Sequence, residues 1–248
     1  MNLYVYETEQ EMAAAAAEKA AEVLKQALAK KPTIRLIAAT GNAQFKFLEK
    51  LYERKDIDWN RVTLFHLDEY IGISKDHPAS FARYIQERIV DKLHPGKAFL
   101  IDGSARDVEA ERKRISALVS EAPVDVAFVG IGENGHLAFN DPPADFETSE
   151  PYIIVNLDER CRTQQVGEGW YRSLDEVPRQ AFSMSIKQIM KTACILAIVP
   201  EKRKAEAVFN CLSEKASVSP LHPASILKTH PNAHIFLDKD SASLLRKT

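Results

Sequence analysis

Three groups of residues in this chain carry chemistry suited to a charged small molecule and its protons. Thr40-Gly41-Asn42 ends the largely apolar run TIRLIAAT, Asp68-Glu69-Tyr70 ends VTLFHLDEY, and the run from Gly130 to Asp141 follows VDVAFV and surrounds the single His136. A carboxylate and an imidazole can both transfer protons. A glycine after a strand lets backbone N–H groups approach an anion, and a helix start beyond it adds partial positive charge. Thr40-Gly41-Asn42 therefore reads as a phosphate cradle. Each group alone is weak, because turn glycines, solvated acidic pairs and hydrogen-bonded histidines are common. GIGENG also fits the spacing GxGxxG, but HLAFNDPP does not continue as a long helix with an acidic ribose partner, which argues against a dinucleotide site.

The convergence of the three groups depends on the elements that position them. NLYVYE reads as a strand, and Thr8 to Lys30, rich in Ala, Glu, Lys and Leu, as a helix. TIRLIAAT followed by AQFKFLEKLYERK repeats the strand-turn-helix pattern. VTLFHLDEY is a third strand, followed by a helix from about Pro78 to Leu93. KAFLID, VDVAFVGIG, YIIVNL, CILAIVP and AHIFLD supply further strands, with helices near Glu109 to Ser120 and Lys202 to Cys211. This alternation predicts an α/β fold, a doubly wound, mostly parallel sheet with helices on both faces, Rossmann-like, in one domain over residues 1–248. Ligands of such sheets bind at the C-terminal ends of strands, where all three groups lie. NDPPADFETSE, from Asn140 to Glu150, reads as a loop, either a surface excursion or a lid.

Composition narrows the partners. With 33 basic and 35 acidic residues the net charge is -2, too little positive field for nucleic acid, although a few donors suffice for one small phosphate. Cys161, Cys194 and Cys211 are widely spaced and form no CxxC pair, so neither a disulfide framework nor a zinc site is expected. The N-terminal residues lack a basic stretch before an apolar core and no segment is apolar enough to span a membrane, so a cytoplasmic location is expected.

LFHLDEYIGISKDHPASF and VGIGENGHLAFNDPP, in this order, resemble the two signature segments of the glucosamine-6-phosphate deaminase/isomerase family, which is related to 6-phosphogluconolactonase. Lys204 in VPEKRKAEAV resembles its phosphate-binding lysine, and the likeness runs from about Arg35 to Asp240. The resemblance implies conversion of D-glucosamine 6-phosphate and water to D-fructose 6-phosphate and ammonia, without metal or other cofactor. It implies Asp68 as the base that moves a proton between C2 and C1, His136 as the group that assists ring opening, and Asp141 as its partner. Thr40, Gly41, Asn42, Ala43 and Lys204 would hold phosphate, with Glu69 and Gly135 lining the substrate site. A small amino-sugar phosphate is then the expected partner, nucleic acid and membrane are not, and a homo-oligomer is compatible with the reading.

The chain departs from the family pattern at several of these positions. Asn134 stands where an acid is frequent, and an amide can position but cannot carry a proton. Asp141 is one methylene shorter than the usual glutamate, so His136 must sit closer or use a water. Gly41-Asn42-Ala43-Gln44 replaces a Gly-Gly-Ser/Thr-Pro loop and loses a hydroxyl donor. Near the family's phosphate arginine this chain has Val166 or Gly167, with Arg160 and Arg162 a few residues earlier. These departures keep three alternatives in view: a 6-phosphogluconolactonase, a deaminase for a related amino-sugar phosphate such as the galactosamine epimer, and a non-catalytic sugar-phosphate sensor. Tyr70 in Asp-Glu-Tyr, where the lactonases have arginine, and the segment HLAFND favour the deaminase.

Overall fold

The computed structural model describes residues 1–167 and 169–245. Its elements are β1 (Asn2–Tyr6), α1 (Glu9–Lys30), β2 (Ile34–Ala38), α2 (Phe45–Tyr52), β3 (Val62–His66), β4 (Asp68–Tyr70), α3 (Phe81–Ile85), α4 (Asp91–Leu93), β5 (Lys97–Phe99), α5 (Val108–Ser120) and β6 (Val126–Val129). They continue with β7 (Tyr152–Asn156), α6 (Glu159–Gly167), β8 (Gln180–Met184), α7 (Ile186–Met190), β9 (Cys194–Val199), α8 (Ala205–Leu212) and β10 (Ala233–Asp238). Thr8 caps α1, accepting from the Glu11 N–H while the Glu11 carboxylate accepts from Thr8 N–H, a reciprocal capping box.

A seven-stranded sheet has the order β1-β10-β9-β6-β2-β3-β5, and every pairing within it is parallel. Its central strands β2, β6, β9 and β10 are buried on both faces, which is why they read as continuous apolar runs, while the edge strands β1 and β5 are partly exposed. Alternate residues enter opposite cores: Ile37, Ile195 and Ala197 pack on one side, while Leu36, Leu196 and Ile198 pack against α1 and α2 on the other. The doubly wound, Rossmann-like expectation is met. The winding reverses between β2 and β6, and the crevice at that switch point is where such sheets bind ligands.

Two expectations need correction. VTLFHLDEY is not one strand: the chain leaves the large sheet after His66, and β4 joins β7 and β8 in a separate antiparallel sheet of three strands. Leu67 marks the switch, its carbonyl accepting from the Met184 N–H at 2.7 Å. The helix expected from Pro78 begins at Phe81 and passes through a wider π turn at Gln86–Val90 before α4. Among the described residues no helix is long and apolar enough to cross a membrane.

Candidate functional site

β2 and β9 finish in the same way. Beyond β2, Gly41 takes φ of 102°, a 3-10 turn follows at Asn42–Gln44, and α2 begins. Beyond β9, Glu201 takes φ of 80°, a 3-10 turn follows at Lys202–Lys204, and α8 begins. Gln44 N–H donates to Gly41 O at 3.1 Å and Lys204 N–H to Glu201 O at 3.0 Å, so each turn is closed by its own backbone. Glycine tolerates the left-handed conformation at no steric cost, whereas Glu201 is held there by its N–H donating to Asp238 Oδ2 at 3.1 Å. The Tyr84 hydroxyl donates to Gly41 O at 3.0 Å and pins the first turn from behind.

The two turns face one cleft. Thr40, Gly41, Asn42, Ala43 and Lys204 line it together with Asp68 and His136, so these sequence-selected groups meet as the switch-point argument requires. Lys204 is buried and lines the same cleft as Gly41.

Asp68 opens into the cleft from β4 with only 6% of its surface exposed. Burial pushes its carboxyl well above the ordinary carboxylate range, and the neighbouring Glu69 charge adds to the shift. Glu69, although adjacent, does not line the cleft. Its carboxylate accepts from the Tyr70, Phe81 and Ala82 N–H groups at 2.9, 3.1 and 2.7 Å and from the Ser80 hydroxyl at 2.7 Å. Strand alternation sends the two neighbours to opposite faces, and Glu69 is occupied at the start of α3 instead of contacting substrate.

The His136 loop is built on glycine. A Cβ at Gly132 would lie 2.2–2.4 Å from three atoms of the His136 ring, so only glycine leaves room for the imidazole in its place. Gly132 N–H donates to His136 O at 2.9 Å, and Gly135, at φ of 86°, makes the return. Gly135 faces Cys211 and its carbonyl accepts from Ala224 N–H at 2.8 Å, so it shapes the loop from outside the cleft.

His136 Nδ1 lies 3.1 Å from Asp141 Oδ1, a close contact whose geometry is not that of a hydrogen bond. The shorter carboxylate arm therefore reaches the ring without a water between them. The Asn134 Nδ2 group donates to the same Asp141 oxygen at 2.9 Å, while Asn134 Oδ1 accepts from His136 N–H at 3.1 Å. An acid at position 134 would offer Asp141 no donor unless protonated; the amide supplies one and holds both partners. Asn134 and Asp141 thus stand behind His136 and outside the cleft wall.

Sequence reasoning passed over several wall residues. Gln44, Gly130, Gly132, Gln165, Trp170 and Arg203 all line the cleft. Gln165 is the α6 residue that lines the cleft, close to where a glycine or valine replaces the family's arginine. Arg162 points elsewhere, donating to Leu174 O and Val177 O, and the side chain of Arg160 lies outside the described residues. None of the residues from Asn140 to Glu150 lines the cleft: Asn140 is buried, donating to Leu137 O and Met184 O at 2.8 Å each, and Ala144 N–H donates to Pro220 O at 3.0 Å. The roof is Gln165 and Trp170. A period-3.6 reading of the segment after Asn156 gives no signal for it, since α6 has almost no apolar face.

Residues 7–236 match the family described as glucosamine-6-phosphate isomerases/6-phosphogluconolactonase. The glucosamine-6-phosphate deaminase of Thermoanaerobacter pseudethanolicus is 35% identical over 234 residues, covering 92% of this chain and 90% of that protein. The enzyme of that name from Clostridium acetobutylicum is 34% identical over 232 residues, covering 91% and 94%. The solved structure of a monomeric glucosamine-6-phosphate deaminase aligns with a TM-score of 0.89 at 32% identity, covering 98% of this chain and all 100% of that one. The 6-phosphogluconolactonase of Trypanosoma brucei aligns at 0.78 with 16% identity over 98% of each chain, a likeness of fold.

Proposed function

Because this chain belongs to the glucosamine-6-phosphate isomerase/6-phosphogluconolactonase family, we propose that it converts D-glucosamine 6-phosphate and water to D-fructose 6-phosphate and ammonia. The observation that carries this reading is a single cleft in which a buried carboxyl with a raised pKa, a carboxylate-backed histidine and a buried lysine meet.

Backbone N–H groups of the turn from Thr40 to Ala43 and the Lys204 ammonium hold the phosphate, combining a helix start with a charge-assisted contact. His136, oriented by Asp141 and Asn134, takes the proton of the C1 hydroxyl and returns one to the ring oxygen, which opens the pyranose. Asp68, as carboxylate, then removes the C2 proton to give the C1–C2 enol form and delivers that proton to C1. The C2–N bond becomes an imine, water adds at C2, the C–N bond breaks and ammonia leaves, so the isomerisation ends in a hydrolytic deamination. A carboxyl whose pKa is raised by burial suits this shuttle, because it must both accept and release the proton. The whole chain then acts as one cytoplasmic enzyme of amino-sugar metabolism.

A coupled assay for fructose 6-phosphate and ammonia tests the proposal in the wild type, Asp68→Asn and His136→Ala. Equimolar products from the wild type and their loss from Asp68→Asn are expected. Binding of fructose 6-phosphate with no turnover would favour a sensor, and hydrolysis of 6-phosphogluconolactone would favour the lactonase.

A further inference from the structure

Two glutamines face the cleft with hydrogen-bonding capacity that the described residues use only in part. Gln44, 1% exposed, closes the turn after β2. Its amide lies 3.4 Å from Ile198 O; a carbonyl can only accept, so that end is the Nε2 donor. The contact is long, and Oε1 has no donor among the described residues. Gln165, 6% exposed, enters from α6, and its amide makes no hydrogen bond among the described residues. Each therefore keeps amide valences at the cleft that a bound ligand can complete.

The chemistry of the amides separates two kinds of ligand oxygen. A phosphate offers only acceptors and would leave the Gln44 Oε1 facing an anion. A hydroxyl both donates and accepts and satisfies either end. Location agrees. Gln44 follows directly on the phosphate turn, and a Cβ at Gly130 would sit 3.5 Å from its Nε2, so the amide reaches the start of the loop that carries His136. It therefore spans the ground between the phosphate and the reacting carbons.

We infer that Gln44 and Gln165 are specificity-determining residues that hydrogen-bond the hydroxyls of the sugar chain between the reacting carbons and the phosphate, and so discriminate C4 epimers. This rests on the reading of the site as an amino-sugar phosphate deaminase. Sites built to bond a hydroxyl discriminate strongly, because a misplaced hydroxyl leaves their own polar groups unpaired.

The test compares kcat/KM for glucosamine 6-phosphate and galactosamine 6-phosphate in the wild type, Gln44→Met and Gln165→Met, with inorganic phosphate as a competitive inhibitor. The wild type should prefer one epimer, and each substitution should cut that preference about tenfold while the inhibition constant for phosphate stays within about twofold. Absence of a wild-type preference, an unchanged ratio, or a phosphate constant that weakens in step with KM would overturn the inference. Where a methionine variant melts early, Gln44→Leu or Gln165→Leu, also neutral, takes its place. If the wild type turns over neither epimer, the reaction reading fails. The inference is then read by calorimetry with fructose 6-phosphate and tagatose 6-phosphate, whose binding ratio must fall in the same variants.

Discussion

The floor and the roof of the cleft are made from different material. The floor is the set of turns around Gly41, Gly132 and Lys204, which follow the buried central strands of the parallel sheet, with Asp68 entering beside them from the first residue of β4 in the antiparallel sheet. The roof is Gln165 on α6 and Trp170 beyond it, carried by a smaller cluster around Tyr70, Phe139 and Tyr171 and tied down where Arg162 donates to Leu174 O and Val177 O. A group that moves protons needs placement to a fraction of an ångström, which rigid strand ends provide. A group that selects among substrates needs only complementary valences. Floor substitutions should accordingly act on kcat and roof substitutions on KM, except at the phosphate.

The largest effect belongs to Asp68. Asp68→Asn should lower kcat by roughly 10³-fold or more while raising the melting temperature. The native state holds the Asp68 proton more tightly than the unfolded chain does. That stability is present below the ordinary carboxylate pKa and is lost as pH rises through the native one, so the gain from asparagine, which does not titrate, should grow as pH rises. Kinetics and thermal melts together decide this. A fall in KM alone, or a lower melting temperature, would break the contrast between floor and roof.

Gly132→Ala comes next. The added Cβ meets the His136 ring at 2.2–2.4 Å and must push it from Asp141, so kcat should drop on the order of 10²-fold, within the range a positioned acid–base contributes. The alanine costs no backbone strain, since Gly132 is not among the residues of positive φ. His136→Ala/Gly132→Ala should then be no slower than His136→Ala, because both changes remove one function.

Much of the floor was legible. Gly41, Asp68, His136 and Lys204 stand directly after apolar runs, and a residue's place at a strand end follows from its place in the sequence. Glu69 misled because adjacency in a motif hides the strand's alternation, which sends the second carboxylate to a helix start. The split of VTLFHLDEY at Leu67 was hidden for a similar reason, as no local pattern records a change of sheet. The roof was illegible: α6 has almost no apolar stripe, and what points Gln165 inward is the tertiary docking of the segment around Tyr171 and Val177.

Lys204 and Trp170 sharpen the comparison at smaller amplitude. Loss of a charge-assisted contact costs about 1.5–3 kcal/mol, so Lys204→Ala should raise KM some ten- to hundredfold with kcat little changed. Trp170→Ala removes an aromatic side chain from the cleft lining and should raise KM by about threefold to tenfold, as expected for one partly buried aromatic contact. Steady-state kinetics at fixed salt measure both. A kcat effect from Trp170 larger than that from Lys204 would make the roof catalytic.

The smallest effect lies beneath the floor. His66 is fully buried at the end of β3, and Ile101 N–H donates to its Nε2 at 2.9 Å, which places the ring proton on Nδ1 and leaves no room for a second. Burial lowers its pKa to about 3. Between the ordinary histidine value of about 6.5 and that figure the unfolded chain binds a proton that the native state refuses, so stability drains away as pH falls through this window. His66→Gln keeps an acceptor for Ile101 but does not titrate. Its deficit in melting temperature relative to the wild type should therefore be greatest near pH 7 and shrink steadily toward pH 4, with the Tyr152 hydroxyl still donating to the residue-66 carbonyl as it does to His66 O at 2.6 Å. A deficit that stays constant with pH would mean that the base above it rests on packing alone.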